Sequence, residues 1–235
     1  MSFRKKMFFI FCFVFIDICL IIGFLVIRDV TQEQKLKKEV HTLMKLDITK
    51  DRYNTSIKSG GKYGKIEKSI KEYLDQYAVS VQSVLSIMND SQFTQLLSVS
   101  NYETDGPDFS DSFQYIQKQK KEFNESMDSL IQKCDDSEIK EYIHKELDDP
   151  YYVTLYEDLM LNDDMSDDFQ RSKETLENVQ LEVNTLFDTS NQILEFLKIN
   201  KDSWKIEDNQ IKFQTQDLLD QYNLYVQKIK EISSS

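Results

Sequence analysis

The sequence predicts a mainly α-helical chain, in which a single N-terminal transmembrane helix precedes an extracytoplasmic helical bundle carrying one small β-hairpin at about 204–213. Three observations predict it. An almost unbroken apolar run covers 7–27, between Arg4, Lys5 and Lys6 on one side and Arg28 and Asp29 on the other. Beyond it, apolar residues recur at helical spacing in a chain of 235 residues with only 5 Gly and 2 Pro, and so few breakers favour helix over sheet. Between 204 and 213 the apolar period shortens from near four to two, which marks a pair of strands.

The apolar run has 21 residues, and at about 1.5 Å per residue it spans roughly 30 Å, the thickness of a hydrocarbon core. A cleavable signal would have a shorter core and small residues at its cleavage site. Here Gly23 is followed by bulky Phe24 and Leu25, and Asp17 and Ile18 stand where a lipidated cysteine at Cys19 would need small neighbours. The run reads as an uncleaved signal-anchor, crossing the bilayer once. A basic tail (1–6) ahead of an apolar core places the N-terminus in the cytoplasm and the rest outside, although Arg28, Lys35, Lys37 and Lys38 on the other flank nearly balance that tail. Asp17 lies at the centre of the span, where a carboxylate costs about 2.5–3.5 kcal/mol on insertion scales. It marks either a contact with another helix or a single tolerated polar residue.

After the anchor, Leu36, Val40, Leu43, Met44 and Leu46 describe a stalk helix over Thr31–Asp47, and the polar stretch Thr49–Tyr63 with Gly60, Gly61 and Gly64 reads as a hinge or ordered loop. The domain plan is therefore tail 1–6, span 7–27, stalk and hinge 28–64, and one helical domain 65–235. Within that domain, helices are expected over about 65–88, 93–97, 111–134, 137–147, 150–161, 166–198 and 215–232, with a turn at Asp105-Gly106-Pro107-Asp108. Ser137 and Ser166 are the expected caps, and Pro150 suits a first helical turn.

The hairpin is specific in detail. Asp208-Asn209 fits a two-residue turn, which sets Ile206 opposite Ile211 and Trp204 opposite Phe213 on one face. Packing of that face on the helices is the expected arrangement, since an isolated hairpin is marginal in water. The functional alternative is an exposed edge that faces a partner strand.

Charge divides along the chain. Arg28–Lys71 holds 12 basic and 6 acidic residues, and Glu72–Ser235 holds 14 basic and 34 acidic ones. The membrane-proximal basic residues, Arg28, Lys35, Lys37 and Lys38 among them, suit anionic headgroups. The acidic remainder is unsuited to nucleic acid.

No cofactor is expected. His41 and His144 lack partners at metal-ligand spacing, no nucleotide-binding or nucleophile-elbow pattern occurs, and the acids at 105–111 and 163–168 lack calcium-loop spacing. Those acids read as helix caps. Cys134, alone outside the anchor, reads as a core residue, with an interchain bridge as the alternative.

The segments Lys45-Leu46-Asp47-Ile48-Thr49-Lys50-Asp51-Arg52-Tyr53-Asn54-Thr55, Ser100-Asn101-Tyr102-Glu103-Thr104-Asp105-Gly106-Pro107 and 204–213 resemble an uncharacterised type of N-terminally anchored, helical surface protein of low-GC Gram-positive bacteria. The resemblance implies an envelope location and no activity or site residue. The resulting expectation is a non-enzymatic interaction or scaffold module that meets the lipid bilayer through 7–27 and a protein partner, or itself, outside it. The alternatives are a small-ligand or peptide sensor with a pocket between helices, lined by Tyr73, Tyr77, Tyr222 and Tyr225, and a membrane-bound hydrolase.

Overall fold

A backbone with so few breakers folds into helices wherever an apolar stripe can be covered, and the structure is almost wholly built this way. It is a computed structural model that describes residues 3–46 and 54–232, with side chains from Gly23 onward apart from Asp164. In chain order the elements are α1 (Phe3–Leu43), α2 (Gly61–Met88), α3 (Ser91–Gln95), α4 (Val99–Thr104), α5 (Ser110–Gln132), α6 (Asp136–His144), α7 (Pro150–Met160), α8 (Asp163–Ile199), β1 (Trp204–Glu207), β2 (Gln210–Phe213) and α9 (Gln216–Ile232). The mainly helical class with one hairpin is as expected. Among the described residues no helix is long and apolar enough to cross a membrane. Most of the expected span 7–27, Asp17 included, lies outside the residues whose side chains are described.

The chain forms two compact units. Unit 1 takes the residues up to Gln76 together with Asp136–Ser166, and unit 2 takes Tyr77–Asp135 together with the residues from Asp167. Apolar stripes identify the face a helix buries but not the neighbour that covers it, so this division was not legible from periodicity.

In unit 1 the expected stalk is the second half of α1, and it is not free-standing. Leu36, Val40 and Leu43 are buried, as are Ile66, Ile70 and Tyr73 of α2, Ile139, Tyr142 and Ile143 of α6, and Leu155, Tyr156 and Met160 of α7. Buried phenols find partners: Tyr156 donates to the Ile139 carbonyl at 2.7 Å and Tyr142 to Gln76 Oε1 at 2.6 Å. The glycines expected in a hinge belong to the start of α2. Gly61 opens that helix at φ +60, and at Gly64 a Cβ would sit 2.7 Å from the Ser59 carbonyl oxygen, so only glycine allows this close approach. Residues 49–53 of the expected hinge or ordered loop, and Asp47 of the expected stalk, lie outside the described residues.

Unit 2 is organised around aromatic rings. Ile116, Phe123, Met127 and Leu130 of α5 and Phe187, Ile193, Leu194 and Leu197 of α8 form its core. The hairpin closes one side in the expected register, Trp204 opposite Phe213 and Ile206 opposite Ile211, with Asp208 and Asn209 at φ 52 and 58. Both turn residues left-handed is the geometry that matches strand twist. Trp204 stacks on Phe109 at 6.2 Å, and its indole N–H donates to the Leu197 carbonyl at 2.7 Å.

Local capping accounts for the helix boundaries. Asp90, Ser98 and Asp149 accept from the first turns of α3, α4 and α7, and Pro150 begins α7. Asp105 accepts from Asp111 N at 3.2 Å and Ser112 N at 2.8 Å, which confirms a capping role for this acid. Several boundaries differ from expectation: α2 begins at Gly61, α3 covers Ser91–Gln95, α6 ends at His144, and Ser137 and Ser166 lie inside α6 and α8 instead of capping them. Val99–Thr104 is helical, because Ser98 caps a stretch whose composition reads as loop. Helix α8 starts at Asp163, where Asn162 accepts from Met165 N at 3.1 Å.

Phe109 combines a fully buried ring with a left-handed backbone, φ 53. Phe109→Ala should destabilise unit 2 by about 3–5 kcal/mol. Phe109→Gly should cost about 1 kcal/mol less than Ala, since glycine removes the left-handed penalty. Urea unfolding followed by fluorescence of Trp204, the chain's single tryptophan, reads both changes.

Candidate functional site

The most heavily built polar arrangement lies in unit 1, where α1, the segment before α2 and α2 itself meet. Its centre is Lys71, with 2% of its side chain exposed. The ammonium lies 2.6 Å from Glu67 Oε1, 2.9 Å from Glu39 Oε1 and 2.6 Å from the Ser56 carbonyl oxygen. Glu67, fully buried, spends its remaining capacity on the backbone, accepting from Lys58 N at 2.9 Å and Ser59 N at 2.7 Å. Glu39 also takes Lys58 Nζ at 2.6 Å. Two ammonium groups thus face two carboxylates, each charge hydrogen-bonded, which is the condition for keeping ions in a low-dielectric interior.

Burial pushes both carboxyls up, but their lysines outweigh it, so each stays below the ordinary glutamate range. For Glu67 the N–H groups of Lys58 and Ser59 pull in the same direction. Sequence reasoning missed this network. Its available signal was the i,i+4 pair Glu67 and Lys71 beside the buried positions Ile66 and Ile70, a spacing that a solvated helix face shares.

Closer to the apolar run, a pocket of about 410 Å³ opens beside α1. Leu25 and Val26 form its apolar wall, and Arg28, Asp29, Lys62 and Tyr63 line the polar side. Asp29 accepts from the Tyr63 hydroxyl at 3.0 Å, and Gln32 Oε1 accepts from Gly60 N at 2.6 Å. Burial, ahead of that hydrogen bond, pushes the Tyr63 phenol up, so it remains a neutral donor. Lys62 pairs with Asp149 at 2.6 Å and lies over the Tyr152 ring at 5.0 Å. Tyr152 stands edge-on to both Tyr63 and Tyr151, at 5.2 and 5.0 Å.

The structure separates the expected basic residues. Arg28 lines this pocket, Lys37 pairs with Glu33 at 2.7 Å, and Lys35 and Lys38 are exposed on α1. Glu33 also accepts from Tyr151 at 3.2 Å. The hairpin residues Trp204, Ile206, Ile211 and Phe213 are half-buried and packed on the unit 2 core, the expected alternative to a partner-facing edge. The four tyrosines proposed to line a ligand pocket are divided between the units, Tyr73 in unit 1 and Tyr77, Tyr222 and Tyr225 in unit 2. Tyr73 lies edge-on to Tyr142 in unit 1, whereas Tyr222 shares a hydrogen bond with Tyr102 at 3.1 Å and Tyr225 packs on Phe196 in unit 2. Cys134 is buried and its thiol is pushed up by that burial.

Chemically, this arrangement offers cations, neutral phenols and an apolar wall. Each carboxyl near it that is shifted (Glu33, Glu39, Glu67, Asp149) is held low by a partner, the opposite of a poised general acid. Among the described residues, no group of three or more His, Cys, Asp or Glu is placed to hold a metal.

Replacing Lys71 by Met should destabilise unit 1 by about 3–5 kcal/mol, because two buried carboxylates lose their counterion. The network also sets acid sensitivity. Glu39 and Glu67 titrate lower in the fold than unfolded, so their contribution is complete above the unfolded value of about 4.3 and is lost as pH falls through the folded values. Glu67→Gln should flatten that acid-side loss, measured as denaturation midpoint against pH. No protein-family model, no curated protein and no solved structure matches this chain.

Proposed function

We propose that this chain is a single-pass protein of a bacterial cell envelope, anchored through 7–27, whose helical units outside the membrane act as a non-enzymatic protein-interaction or scaffold module. The observation that carries the reading is the continuity of α1. The apolar run and the buried positions Leu36, Val40 and Leu43 belong to one helix, Phe3–Leu43. A helix that emerges from a bilayer and enters a packed unit without a break fixes that unit at the surface.

The junction itself supports the anchor. Phe24, Leu25, Val26 and Ile27 are 65%, 53%, 56% and 68% exposed, and four consecutive bulky apolar side chains in water need a cover. Arg28 follows them directly, and Tyr63, Tyr151 and Tyr152 gather in the same unit, the residue types that settle at headgroup depth. Unit 2, with 22 acidic and 12 basic residues, would be repelled by anionic surfaces. Within the membrane, Asp17 is the group through which a second helix would be recognised.

Topology tests the anchor. Lys118, 66% exposed on α5, is a suitable site for Lys118→Cys, since buried Cys134 stays silent to reagents in the folded chain. A membrane-impermeant maleimide should label this variant in intact cells as fully as in broken ones. Labelling only after lysis would reverse the orientation. For the interaction itself, crosslinking in intact cells should trap a specific protein partner or a second copy, and Asp17→Leu should reduce any copy-to-copy product. Recovery of neither would contradict the reading.

A further inference from the structure

We propose that the pocket beside Arg28 holds the phosphate of an anionic membrane lipid, making unit 1 a headgroup-binding unit as well as an anchored one. This rests on the anchor reading above and adds a site, a ligand class and a residue that recognises it.

Arg28 is the charged group of the pocket that remains unspent. The pocket's other charged and amide side chains are engaged: Asp29 by Tyr63, Gln32 by Gly60 N, and Lys62 by Asp149 and the Tyr152 ring. Arg28 makes no hydrogen bond or ion pair among the described residues, and the carboxylate beside it in sequence, Asp29, is directed to the Tyr63 hydroxyl. A guanidinium with all five donors available matches phosphate in a two-point geometry that neither water nor a carbonyl reproduces.

Position points the same way. The cavity wall changes from Leu25 and Val26 to Arg28 within one helical turn, an apolar-to-cationic step that complements the apolar-to-anionic step of a lipid between its chains and its phosphate. A lipid lying along α1 would cover part of the exposed apolar stretch 24–27 while its headgroup entered the pocket. A volume of about 410 Å³ is within the range of small-molecule sites and admits a glycerophosphate group.

Charge enters only locally. Lys62–Asp149 is internally neutral, Arg28 and Asp29 balance formally, and the basic segment Arg28–Lys71 shares unit 1 with the acidic stretch Asp136–Ser166. Long-range attraction to an anionic leaflet therefore does not select the ligand; the geometry at Arg28 does.

The test uses the full-length chain. It is first reconstituted into phosphatidylcholine vesicles with and without phosphatidylglycerol, and resistance to alkaline extraction is scored. Lipid retention is then measured on detergent-solubilised protein by native mass spectrometry, with phosphatidylglycerol, phosphatidylcholine or inorganic phosphate as probe. Phosphatidylglycerol should be retained about tenfold better than phosphatidylcholine, the contribution of one charge-assisted pair. Arg28→Gln should remove that preference and Arg28→Lys should keep part of it, while Lys118→Gln, far along the chain on α5, should match the unmodified protein. Membrane insertion should be unchanged in all variants. Equal retention of the two lipids, an unaltered preference in Arg28→Gln, or displacement of lipid by millimolar inorganic phosphate would each overturn the lipid site. Complete extraction of the unmodified chain from vesicles would overturn the anchor reading instead.

Discussion

A buried lysine between two buried glutamates is the constraint on which unit 1 depends. Ion pairs at the surface contribute little, and buried ones stabilise only when every polar atom is satisfied. Lys71 meets that condition by binding one carboxylate from α1, one from α2 and a carbonyl from the segment joining them. A hydrophobic contact would hold α1 against α2 with tolerance for sliding or rotation. Directed charge-assisted bonds at 2.6–2.9 Å hold it in one register. The pocket around Arg28 is a consequence, since its two walls belong to the helices that this network fixes.

The same logic explains why residues 54–60 are tied down despite their polar composition. Glu67 accepts from two consecutive backbone N–H groups, Lys58 and Ser59, and Gln32 accepts from the next, Gly60. Backbone donors near an interior must be paired, and here side chains of α2 and α1 pair them. The segment thereby becomes an ordered strap between the helices.

How much of this was legible in the sequence follows from which signals are local. The hairpin register was, because Asp208-Asn209 tolerates the left-handed backbone that its turn requires and the alternation at Trp204, Ile206, Ile211 and Phe213 allows one register only. Helices α5, α7, α8 and α9 were, through their stripes, and α7 also through Pro150 in its first turn. Helix α4 was not, because serine, asparagine and threonine suit both a short capped helix and a loop. The continuity of α1 was hidden by Arg28 and Asp29, which mark a change of solvent without interrupting the backbone hydrogen-bond ladder. Glu67 and Lys71 looked like any solvated i,i+4 pair, since spacing does not reveal that Glu39 arrives from a helix thirty residues earlier. The pocket at Arg28 depends on that arrival and was illegible for the same reason.

The account's central claim is that one uninterrupted helix passes from the apolar run into the packed unit and is locked there. Amide hydrogen exchange across Ile27–Leu43, measured on the full-length chain in lipid nanodiscs, tests it most directly. The account predicts strong, even protection through Arg28–Leu36, with Lys71→Met raising exchange over Leu36–Leu43 first. Rapid exchange at Arg28–Gln34 in the unmodified chain, the behaviour of a flexible stalk, would contradict it.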